Sequence, residues 1–149
     1  MRRAFRAAWD KSAVKFSIPS DFSAGREVQA KILDDVQRHG YGHESTFAIK
    51  LALEEVLINA IKHGNKFDPA KKVHVACTIT PQQAEIVIED EGAGFERHDV
   101  PDPTAEENLT KCSGRGILLI EAYMDNVEYS NRGRRVRLVK KNVDGDSTK

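Results

Sequence analysis

Residues 45–64 constrain the fold more than any other stretch of the chain. Phe47, Ile49, Leu51, Leu53, Val56, Leu57, Ile58 and Ile61 spread apolar side chains over most of a helical circumference. A helix that is apolar on nearly every side belongs inside a protein. Yet Glu55, Asn59 and His63 interrupt it at intervals of four, and Gly64 ends it. Four residues advance a helix by a full turn plus about 40°, so carboxylate, carboxamide and imidazole line one stripe. Buried polar groups cost free energy unless something answers them. A lone mid-helix asparagine is usually answered by a loop; three polar groups on one stripe point to a ligand. Carboxylate and amide oxygens are hard donors of the kind Mg²⁺ takes, a few at a time, with phosphate oxygens beside them. Glu54 falls about 140° from Asn59 on the wheel and reads as a solvated acid. Lys62, off the stripe, reads as a surface lysine.

Two further motifs fit a nucleotide with its metal. Asp90-Glu91-Gly92-Ala93-Gly94 follows the strand-like run Glu85–Glu89. Asp before Gly is often only a turn, but two glycines also let backbone approach a planar ligand whose exocyclic amine the carboxylate can accept. Gly114-Arg115-Gly116 opens a later helical run, where free N–H groups and the helix dipole favour phosphate. No Gly-Lys-Ser or Gly-Lys-Thr occurs. Gly114–Gly116 does not follow a strand either, so neither a Walker loop nor a dinucleotide-binding turn is present.

The rest of the chain supplies the frame. Ala13–Ile18 alternates and stops at Pro19, a first strand. Ser23 is expected to cap a helix to Arg38, with Val28, Ile32, Leu33 and Val36 on its inner face. Ser45 is expected to start the polar-striped helix. Lys72–Thr80 and Ala84–Glu89 form a hairpin, Gly116–Met124 a helix, and Val127–Ser130 with Arg135–Val139 a final hairpin. Residues 91–113 make a long connection of the sort used as a lid or binding loop, with the lid itself placed at 95–113. At 149 residues the chain is read as one domain with its core at about 14–141, able to bury roughly 70% of its unfolded surface. Net charge is zero, unlike the basic excess of nucleic-acid binders, and Arg132–Lys141 reads as a mostly solvated strand face and turn. No apolar run reaches membrane-spanning length and no signal peptide opens the chain, so a cytoplasmic protein is expected. Cys77 reads as a core residue and Cys112 as a bystander.

Glu55…Asn59…His63-Gly64, Asp90-x-Gly92-x-Gly94 and Gly114-x-Gly116 together resemble the three nucleotide-binding boxes of the GHKL ATPase superfamily. Ala52–Gly64 and Gly114–Asp125 are more narrowly similar to the bacterial anti-sigma factor serine/threonine kinases. The resemblance runs from about Val14 to Lys141. It implies an α/β fold: a two-layer sandwich of the Bergerat, histidine kinase-like type, with a mixed, largely antiparallel sheet under three helices. It implies ATP and Mg²⁺ as cofactors, with Asn59 holding the metal and Asp90 the adenine amine. Gly92, Gly94, Gly114 and Gly116 would shape the pocket and lid, and His63 and Arg115 would touch phosphate. Glu55 would be the catalytic base or would orient the acceptor hydroxyl. The implied partners are a small anti-sigma factor antagonist of STAS type, bearing the acceptor hydroxyl, and an RNA polymerase sigma factor. A homodimer is allowed for; nucleic acid and membrane are not expected partners. The alternative is a non-catalytic, ATP-gated protein-binding module.

Overall fold

The computed structural model describes residues 13–93 and 120–143. Five strands form one sheet in the order β1-β2-β3-β5-β4: β1 Val14–Pro19, β2 Lys72–Ile79, β3 Gln83–Glu89, β4 Asn126–Ser130 and β5 Arg135–Lys141. Each of these four pairings is antiparallel. The parallel component expected of a mixed sheet is not among the described residues. Helices α1 (Phe22–Arg38) and α2 (His43–Ile58) pack on one face, and residues 120–123 are helical. The architecture is the two-layer α/β sandwich expected.

Period-two alternation decides which side chains meet the helices. Val73, Val75 and Cys77 on β2, Ala84, Ile86 and Ile88 on β3, and Val136 and Leu138 on β5 face inward. They meet Val28, Ile32 and Val36 of α1 and Ile49, Leu53, Val56 and Leu57 of α2 in one cluster. Each of the valines, leucines and isoleucines among them, fully buried, contributes about 1.5–3 kcal/mol. Cys77 is a core residue, as read, and burial pushes its thiol up to about 11.

Local chemistry moves some boundaries. Asp21, not Ser23, caps α1: its Oδ1 accepts the Ala24 N–H at 2.8 Å. Aspartate there also favours the positive end of the helix dipole, which serine cannot do. Gly40, at φ +84, ends α1 in a conformation glycine adopts freely. Helix α2 starts two residues before Ser45, with Gly42 at its cap position; Ser45 is buried and donates to the Lys141 carbonyl at 3.4 Å. The basic stretch 132–141 is less solvated than expected. Arg137 is 9% exposed and bonded through Nε to Glu85 at 2.5 Å, on the sheet face turned from the helices. A buried carboxylate on the neighbouring strand holds that arginine in, a pairing that single-strand periodicity does not reveal.

Candidate functional site

Helix α2 does not stop at its last α-helical residue. Asn59–Gly64 continues as a π-helical turn, and the Asn65 N–H closes it on the Ala60 carbonyl five residues back at 2.8 Å. Such wide turns are rare and concentrate at functional sites. Lys66 and Phe67 follow with φ +54 and +58, a left-handed conformation that costs a bulky residue of order 1–3 kcal/mol. Gly25 of α1 lies against this turn, its Cα bare toward the Ile61 Cδ1.

The stripe inferred from the sequence therefore spans two kinds of helix. Glu55 sits on the α-helical part, half-buried. Burial first, and the neighbouring Glu54 second, push its carboxyl above the ordinary range. Asn59 stands at the junction, and its Oδ1 is buried with no hydrogen-bond partner among the described residues. Four other described side-chain atoms, on Thr46, Thr78, Glu128 and Ser130, share that state, so it is the place of Asn59 on the polar stripe, together with the missing partner, that points to a ligand. His63 is exposed on the π turn, and partial desolvation, then Lys62, lowers its pKa. Glu54 and Lys62 are exposed, as read.

The strand motif meets the end of this helix at very close range. A Cβ on Gly64 would lie 2.4 Å from the Asp90 Cγ and Oδ2, and one on Gly92 would lie 2.1 Å from the Gly64 carbonyl oxygen. Only glycine fits at either position. Asp90 accepts the Gly92 N–H at 2.8 Å. Burial raises the Asp90 pKa, opposed by that hydrogen bond and by Arg134 and Lys71. Gly64 and the Asp90–Gly92 turn, apart in sequence, thus form one contact. Gly94, Gly114, Arg115 and Gly116, with the lid at 95–113, lie outside the described residues, as does Cys112.

Several residues that sequence reasoning passed over support this contact. Asn65 is 1% exposed; its Oδ1 accepts the Glu91 N–H at 2.8 Å. Glu91 in turn accepts from the Lys72 N–H at 3.0 Å and bonds His74 Nε2 at 2.6 Å. Arg134 Nη1 donates to the Gly92 carbonyl at 3.2 Å, and the Asp90 N–H donates to the Arg134 carbonyl at 3.0 Å. An asparagine after a helix-ending glycine reads as a cap, and Arg134 reads as a turn residue. Their partners are distant in sequence, so the only available signal was Asn65 directly following the striped helix. Two cavities are found, of about 380 Å³ around Tyr41, Thr46 and Phe47 and about 330 Å³ between α1 and α2. Neither is lined by Asn59 or Asp90. The orphaned amide and the glycine contacts mark the site better than cavity size does.

The helix thus carries an unanswered amide at Asn59 and ends at Gly64 against Asp90, within a two-layer sandwich. Residues 18–140 match the histidine kinase-like ATPase domain family, and the chain belongs to it. Among relatives, the chain is 37% identical over 83 residues to an anti-sigma F factor of Oceanobacillus iheyensis, covering 54% of this chain and 56% of that protein. It is 31% identical over 101 residues to the serine-protein kinase RsbW of the same organism, covering 64% of each. The matched region thus spans less than two thirds of either relative. A crystal structure of RsbU and RsbW domains from Mycobacterium tuberculosis superposes with a TM-score of 0.59 at 14% identity, covering 87% of this chain and 31% of that one. At that identity the likeness concerns the fold alone. No helix among the described residues is long and apolar enough to cross a membrane.

Proposed function

We propose that this chain is an ATP-dependent protein serine/threonine kinase that acts as an anti-sigma factor in the cytoplasm. It would phosphorylate a small antagonist protein of STAS type and sequester an RNA polymerase sigma factor. The observation that carries the reading is the half-buried Glu55 carboxylate one turn before the orphaned Asn59 Oδ1, on the helix that ends against Asp90. The names of the relatives support the partner classes: one is an anti-sigma factor, the other a serine-protein kinase.

In this reading Asp90 accepts a hydrogen bond from the adenine amine, and Gly64 and Gly92 leave room for it. The donor set at the end of α2 fits Mg²⁺: the Asn59 amide oxygen is a hard, unanswered ligand. When bound, the ion would neutralise charge on the phosphate oxygens. His63 stands beside the phosphates, and Gly94, Gly114, Arg115 and Gly116 complete the proposed ATP site. Glu55 takes the proton from an acceptor hydroxyl. That oxygen forms a bond to the terminal phosphorus as the bond to the bridging oxygen breaks, and ADP leaves. Burial strengthens Glu55 as a base by raising its pKa.

Glu55→Ala tests the assignment, because Glu55 has no part in adenine recognition. ATP affinity by calorimetry should be nearly unchanged. Single-turnover transfer to an antagonist protein encoded beside the gene should fall about 10²–10⁴-fold, and Glu54→Ala should do far less. Transfer at the parental rate in Glu55→Ala would remove the base and leave an ATP-gated binding module as the better account.

A further inference from the structure

The hydrogen bonds of Asn65 go to neither Asn59 nor Asp90, yet one carboxamide joins four segments of the chain. Its Nδ2 donates to Ser20 Oγ at 2.9 Å and to the Lys72 carbonyl at 3.0 Å. Ser20, at the β1–α1 junction, passes the chain on to the Lys71 carbonyl at 2.6 Å. The Asn65 Oδ1 takes the Glu91 N–H, and its own N–H closes the π turn. Both oxygen and nitrogen of this buried amide are therefore in use, and no water is needed to satisfy them. Glu91 is the residue between Asp90 and Gly92. It is held at its N–H by Asn65 and at its carboxylate by Lys72 and His74.

We propose that Asn65 is a positioning residue for the nucleotide site, setting the spacing between the end of α2, which carries Asn59, and the turn Asp90–Gly92. This rests on the reading of Asp90 as the adenine contact. There is no slack between the two segments. Gly64 meets the Asp90 carboxylate and Gly92 meets the Gly64 carbonyl at distances that exclude a single added carbon. Displacing either segment re-aims the Asp90 carboxylate, and small misplacements in a site have large effects on binding and rate. The Asn65 amide ties the end of the helix to the Lys72 carbonyl and to the Glu91 N–H, and the Glu91 carboxylate takes the Lys72 N–H, so both segments are anchored at one residue of β2. The spacing is thereby referred to the rigid sheet rather than to the turns themselves.

The test compares Asn65→Ala with Ser20→Ala in the full chain. Ser20→Ala removes a member of the same buried network but leaves the Glu91 link intact. Calorimetric affinities for Mg-ATP and Mg-GTP are read beside thermal stability. Asn65→Ala should weaken ATP binding about 10- to 100-fold, the range for removing a residue that orients a ligand-contacting group. It should also narrow the preference for ATP over GTP, a change that loss of stability alone does not produce. Ser20→Ala should keep both affinity and preference. Asn65→Asp keeps the acceptor for the Glu91 N–H but turns an oxygen toward the Lys72 carbonyl, so it should lose affinity and preference as Asn65→Ala does. Should Asn65→Ala not fold, Asn65→Ser, too short to span both sides, replaces it with the same expectation. Unchanged ATP affinity in Asn65→Ala or Asn65→Ser would overturn the proposal. So would equal losses in the Asn65 and Ser20 variants, which would make Asn65 merely structural. If the parental protein itself shows no preference for ATP over GTP, the Asp90 reading falls, and the positioning role with it.

Discussion

In the proposed ATP site, Asp90 is where binding and stability oppose each other. Asp90→Asn preserves shape but, on the proposed reading, would present a mixed donor and acceptor to the adenine amine. A hydrogen bond to a charged group is worth about 1.5–3 kcal/mol, so ATP affinity should fall about 10- to 150-fold in calorimetry. Without nucleotide the same change should help the fold. Burial raises the Asp90 pKa in the folded chain, so the folded state holds that proton more tightly than the unfolded one. The associated stability is present below the ordinary carboxylate range and is lost as pH rises through the raised value. Asparagine has no such loss. The nucleotide-free variant should therefore gain on the parent as pH rises from acid to neutral in urea titrations; a constant difference across that range would count against it. Asp90 and Glu55 could be nominated from sequence because their motifs are contiguous. Asn65 and Arg134 could not, because what makes them matter is a partner 26 or more residues away.

The end of α2 and the turn after β3 act as one unit because Gly64 and Gly92 let them interlock. Gly64→Ala places a Cβ against the Asp90 carboxylate. Overpacking of this kind costs about 1–3 kcal/mol and shifts what it strikes. The variant should melt lower and bind ATP poorly. Adding Asp90→Ala removes the struck atoms, so Gly64→Ala/Asp90→Ala should be as stable as Asp90→Ala alone, a plain failure of additivity. If the double variant is less stable by the full Gly64→Ala cost, the clash lies elsewhere. The helices and strands themselves were readable from periodicity, which reports burial on one face. The π turn was not, because an apolar run reads the same whether the backbone closes on the fourth or the fifth residue.

The sheet also buries charge on the face away from the helices, where Arg137 bonds Glu85 and lies 3.6 Å from Glu128. Removing one partner of a buried pair strands the other, at a cost of about 3–5 kcal/mol, against a total of about 5–15 kcal/mol for an ordinary domain. Glu85→Ala should thus lower urea stability severely and leave the ATP affinity of the folded fraction near parental. Glu85→Leu/Arg137→Leu should cost less than either single change; a larger loss would show that the pair holds more than itself. This feature escaped sequence reading because a basic stretch looks solvated until the strand beside it is known. Chain length, finally, is not free to vary where α2 runs out. The wide turn holds one residue more than an α-helical turn would. Shortening it by one would rotate all that follows by about 100°, carrying Asn65 from Glu91 and Gly64 from Asp90. Relatives that share this site must keep the interval from Asn59 to Asn65 even where the residues inside it change, so a gap placed there in an alignment marks a protein that has rebuilt the site or lost it.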